Sequence, residues 1–134
     1  MNFLISKIKW IMLVSGVLTC TMIYAAIAPH AALQGMFGES LQGPLANIVV
    51  RNWGVLIAVV GAILIYGAYD PPSRPLALTV ATATKLAFIL LILSQGSRYL
   101  GQQAAIAIAI DAVWVVLFAA YLVAARRVTS PPPP

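Results

Sequence analysis

Four apolar stretches, each close to the ~20 residues an α-helix needs to cross a bilayer, follow one another with only short polar breaks between them. They run roughly from Trp10 to Ala28, Val49 to Tyr69, Leu76 to Ser94 and Ala104 to Ala125. The chain of 134 residues is 62% hydrophobic and 8% charged, with a mean hydropathy of +0.97, which is too little polar surface to coat a globule in water. Lipid is therefore the expected solvent. The predicted fold is an all-α membrane protein, a bundle of four transmembrane helices over residues 1–129. No length remains for a separate soluble domain. Ser130 and Pro131 to Pro134 cannot continue a helix and read as a flexible or polyproline-type tail at 130–134.

The breaks carry information of their own. Between Pro29 and Asn47, Leu33, Met36, Phe37, Leu41 and Leu45 recur at three- and four-residue steps. This predicts an interfacial amphipathic segment between the first two spans, broken by Gly35, Gly38 and Gly43-Pro44. Asp70-Pro71-Pro72-Ser73-Arg74-Pro75 is a turn short enough to make the second and third spans antiparallel neighbours. Gln95 to Gln103 forms the last loop, and Arg126 and Arg127 are expected to stop the fourth span.

A net charge of +5 would suggest nucleic acid in a soluble protein, but here the basic residues flank apolar runs and no nucleic-acid partner is predicted. Lys7, Lys9, Arg74, Arg126 and Arg127 fall on one side, Arg51 and Arg98 on the other. The positive-inside rule then predicts a multi-pass protein of the cell membrane with both termini in the cytoplasm. The first apolar run is long for a secretion signal, and Pro29 directly after Ala26-Ile27-Ala28 disfavours cleavage, so it reads as a retained span. Cys20 is the single cysteine and reads as a packing residue. No internal repeat is evident.

Lys85 near the middle of the third span and Asp111 about two turns into the fourth are the most informative residues. A charge at the bilayer centre costs ~2.5–3.5 kcal/mol on insertion scales. A hairpin folded about residue 98 sets the two opposite one another, which predicts an ion pair. The plainer reading is a structural pair that fixes hairpin register; the other is a proton or ligand site. Trp114 shares the Asp111 face, so it reads as a core residue or as part of a pocket wall. Arg51 and Asn52 sit at the mouth of the second span. They read either as interface anchors or as part of an outward pocket in which Arg51 meets Asp111, Glu39 or His30. Trp10 and Trp53 read as interface anchors, and Gly54, Gly61 and Gly67 as positions of close helix packing. His30 and Glu39 lack the partners a metal site needs. No catalytic set, metal site or cofactor is predicted, since nucleotide loops, nucleophile elbows and metal motifs are missing from the sequence.

The stretch Val50-Arg51-Asn52-Trp53-Gly54 opening the second span, followed by Gly61, a Pro-rich turn and two more spans, resembles the DoxX-like superfamily of small four-helix membrane proteins. The resemblance covers most of the chain and implies an accessory membrane subunit, linked in some relatives to redox or quinone-associated complexes. Lys85 and Asp111 map onto no motif of that family. The leading expectation is a non-enzymatic component that binds a protein partner, a second copy, or a lipid-like small molecule between its helices. The alternative is a small oligomeric transporter or channel using the Lys85/Asp111 pair.

Overall fold

The computed structural model describes residues 2–129, and the Pro-rich tail lies outside them. Six α-helices follow in order: α1 Asn2–Cys20, α2 Ile23–Ile27, α3 Pro29–Phe37, α4 Pro44–Tyr69, α5 Arg74–Ser94 and α6 Gln103–Thr129, with a 3-10 turn at Pro71–Ser73. Four helical segments are long and apolar enough to cross a membrane: Phe3–Ile27, Pro44–Tyr69, Pro71–Ser94 and Gln103–Arg127.

Several boundaries differ from the sequence reading, each for a local reason. The first helix starts at Asn2, so Lys7 and Lys9 lie within it. It is interrupted at Thr21 and Met22, whose N–H groups bond three residues back, to Leu18 O and Thr19 O, tightening the turn. The second long helix begins at Pro44, because Pro at the first helical position forgoes an N–H that has no partner there anyway. Arg51 and Asn52 thus lie two turns inside α4 and not at its mouth. Arg126 and Arg127 do not stop α6, which runs on to Thr129; two cations in a last turn favour the helix, since they face the negative end of its dipole. The amphipathic segment is helical only through Phe37. Gly38 terminates α3 with φ +72, a conformation open to glycine, and Leu41 lies in the non-helical connection while Leu45 belongs to α4. Gly35 sits inside α3 and does not break it.

The chain reverses direction at each long helix, so the molecule has two distinguishable ends. At one end Lys9 lies 4.7 Å above the Tyr69 ring, joining the start of α1 to the end of α4. There Arg74 donates to Gly67 O at 3.0 Å and Ala68 O at 2.7 Å, satisfying carbonyls that the terminus of α4 leaves unpaired. Ser73 donates to the Asp70 carboxylate within the turn. At the other end lie α3 and the 95–102 turn, joined by an Arg98 to Glu39 ion pair at 2.7 Å. That pair raises the Arg98 pKa above its ordinary value, through the hydrogen bond first and the carboxylate charge second.

Around the ring of helices α1 packs on α4, α4 on α5, α5 on α6, and α6 more sparingly on α1. The α1–α4 pair is the tightest because glycine lets the backbones touch. A Cβ on Gly61 would lie 2.7 Å from the Cys20 nitrogen and the Gly16 carbonyl oxygen, so any larger residue would push the helices apart. Gly54 and Gly67 meet neighbours at similarly short range, in keeping with the close packing expected there. The packed core consists of Ile8, Met12, Leu64, Ala68, Ala77, Leu78, Ala81 and Phe118, all from the Lys9–Tyr69 end of their helices. The outer faces carry many uncovered apolar side chains, among them Leu90, Leu91 and Val116, a surface that would promote aggregation in water.

Candidate functional site

Above the packed core the four long helices do not close, and a cavity of about 350 Å³ opens between them, within the range of small-molecule sites. Its floor is polar. Lys85, twelfth of the 21 residues of α5, points inward with 8% exposure, and its Nζ reaches Asp111 Oδ1 at 2.8 Å. The hairpin register read from the sequence therefore brings these two together. A third partner, Thr19 of α1, accepts from Lys85 Nζ at 3.4 Å while its own hydroxyl donates to Ser15 O at 2.7 Å.

Thr19 escaped the sequence reading, although a signal existed. Ile8, Met12, Ser15 and Thr19 recur at helical spacing on one face of α1, and two of the four are hydroxyl residues in an otherwise apolar run. All four are buried. Ser15 Oγ has no hydrogen-bond partner among the described residues, nor has Thr82 Oγ1.

The walls are apolar and aromatic. Trp114 lines the cavity and stacks on Phe118 of the core, with ring centroids 6.2 Å apart and planes inclined by 20°. It thus serves both roles the sequence left open for it. Phe88, Leu56, Ile57 and Val60 complete much of the remaining surface, and Met22 and Met36 add flexible thioethers. Trp53, read from sequence as an interface anchor, lines the cavity wall. It contacts Phe37 at 6.2 Å, and Phe37 meets Tyr99 edge-on at 5.4 Å, so an aromatic cluster ties α3 and the 95–102 turn over the site.

Arg51 and Asn52 are not brought to the cavity; both side chains are exposed. Arg51 Nη1 donates instead to Ala26 O at 2.7 Å. The reason is the end of α2: the backbone leaves the helical conformation at Ala28, so the final carbonyls of that short helix, Ala26 O among them, lack intrahelical partners and a cation satisfies one of them. Arg51 meets none of Asp111, Glu39 and His30. Glu39 pairs with Arg98, and His30 Nδ1 lies 2.9 Å from Ser40 Oγ. Among the described residues no group of three His, Cys, Asp or Glu side chains is placed to hold a metal ion.

Chemically, the arrangement is an apolar chamber with one neutralised charge pair at its base. Breaking such a pair leaves an uncompensated charge in a low-dielectric interior, so the floor is fixed in place by the energy of separating it. No family model, curated protein or solved structure matches the chain.

Proposed function

We propose that this protein is a four-helix bundle of the cell membrane, its termini cytoplasmic, that holds a lipid-like small molecule between its helices and acts as a non-enzymatic component. The observation that carries the reading is the cavity itself: about 350 Å³ with aromatic and aliphatic walls and a few convergent polar groups. A concave, largely apolar space of this size with a few polar groups at its base is the usual form of a small-molecule site. Membrane placement is supported by the uncovered apolar faces, by four helices of sufficient length, and by the Lys9, Trp10 and Tyr69 cluster where an aromatic belt would lie. Orientation follows from the excess of Lys and Arg at that same end.

Membership of the DoxX-like superfamily belongs to the same proposal and rests on the Val50 to Gly54 stretch. So does a protein partner or second copy, for which α6 leaves most room, with Val113 and Val116 uncovered. The direct test is native mass spectrometry of the full chain extracted from its own membranes in lipid nanodiscs. We expect one retained amphiphile per chain, lost when Ala107→Phe fills the cavity. Equal retention by Ala107→Phe would place the molecule elsewhere and sink the reading.

A second reading, an oligomeric transporter or channel, draws on one observation: the pair lies ~14–16 Å along α5 from either helix end, near where a membrane midplane would fall. Proton-coupled flux in proteoliposomes that disappears in Asp111→Asn would favour it. The solid core on one side of the pair favours a closed pocket over a path through one chain.

A further inference from the structure

The floor of the cavity is charge-balanced and only partly used by the protein. An ammonium has three N–H donors, and Lys85 gives two of them, to Asp111 Oδ1 and to Thr19 Oγ1. Asp111 accepts through Oδ1, and its Oδ2 has no partner among the described residues. Its side chain is 19% exposed against 9% for Lys85, so the carboxylate is the more open of the two toward the chamber. The remaining wall hydroxyls are engaged locally, Thr21 with Leu18 O and Thr84 with Ala81 O. At the charge pair the chamber therefore offers one charged donor and one charged acceptor side by side.

That pairing selects among head groups. A carboxylate or an ammonium would add a net charge to a balanced site of low dielectric, with no second counter-ion to meet it. An ether, ester or ketone accepts from Lys85 but offers nothing to Asp111 Oδ2. A hydroxyl donates to the carboxylate and accepts from the ammonium at once. The body of the ligand meets Trp53, Trp114, Phe88 and Met36, which reward apolar surface without fixing its shape.

Resting on the reading of the cavity as a small-molecule site, we infer that it selects uncharged amphiphiles bearing a hydroxyl on an apolar body, held between Lys85 and Asp111. Membrane lipids with a free hydroxyl and free long-chain alcohols share this chemistry.

The test uses the full chain in nanodiscs and four probes with one twelve-carbon tail: 1-dodecanol, methyl dodecyl ether, dodecanoate and dodecylammonium. Occupancy is read by native mass spectrometry at equal mole fraction in the disc. We expect dodecanol to half-saturate at about a tenfold lower mole fraction than each of the others, the factor set by leaving one buried polar group unpaired. A double variant, Lys85→Met with Asp111→Leu, should still bind dodecanol and the ether but no longer distinguish them. The series on the unaltered chain decides the matter if that variant does not fold. Displacement of dodecanol by diacylglycerol doped into the disc would assign the natural source to the bilayer, and displacement by soluble alcohols alone would assign it to solution; either supports the inference. Equal binding of all four probes, or tightest binding of the ether or of a charged probe, would overturn hydroxyl selection while leaving the pocket standing. Binding of none of them would remove the pocket reading as well.

Discussion

The two halves of the molecule are built from the same four long helices and differ in what those helices place between them. Toward the Lys9–Tyr69 end, Ile8, Met12, Leu64, Leu78 and Phe118 form a buried cluster with Ala68, Ala77 and Ala81. Toward the α3 end, Trp53, Leu56 and Phe88 stand around a chamber of about 350 Å³, whose wall continues through Trp114 to the core. Hydropathy does not separate the halves, since each long segment is apolar along its length. Near the divide lies a polar cluster, Thr19, Lys85 and Asp111, joined by hydrogen bonds. Where apolar side chains face one another they can close the gap between helices; the charge pair must keep its hydrogen-bond geometry and cannot collapse in the same way. The hollow half is therefore held open from its base.

The largest effect should come from the polar cluster near the divide. Asp111→Asn or Lys85→Met alone should destabilise the protein by ~3 kcal/mol in mixed-micelle unfolding, because each leaves its partner charged and buried. Replacing both, with Asp111→Leu and Lys85→Met, should recover most of that loss, and a double-mutant cycle without coupling would break the division altogether.

Next in size is the contrast between a packed and a hollow site. Phe118→Ala removes a fully buried ring from the solid half and should cost ~3 kcal/mol. Met36→Ala trims a half-buried wall of the chamber and should cost under ~1 kcal/mol in the same assay, since the space it vacates adjoins existing space. Equal losses at the two positions would mean that the halves are packed alike.

The smallest effect sharpens the account of how the hollow half is framed. Arg51→Gln removes the cation from the end of α2 and should cost ~0.5–1 kcal/mol while leaving the binding of a cavity ligand unchanged. A change in ligand affinity larger than the change in stability would show that Arg51 acts on the site after all.

The site was partly legible before any fold was known. Lys85 and Asp111 could be paired because a short hairpin fixes register, and two charges in apolar runs have few other partners. The partner of Arg51 could not be read, because it is a backbone carbonyl, and carbonyls left over at a helix end are invisible until the interruption at Thr21 and Met22 and the stop before Pro29 are known. That Trp53 lines the cavity could not be read either, because its helix starts at Pro44, five residues before the boundary at Val49 that hydropathy suggests. Glu39 and Arg98 lie 59 residues apart, a separation at which spacing offers no guide to pairing.

The Lys85 contacts also have an order in time. Lys85 precedes Asp111 by 26 residues, so at ordinary elongation rates it emerges from the ribosome ~1–5 s before the carboxylate that neutralises it. Thr19 precedes both and belongs to a helix that α4, also made by then, can already clasp through Gly16 and Gly61. The hydroxyl at 3.4 Å, the weaker partner in the finished protein, is thus the one that nascent α5 can meet first.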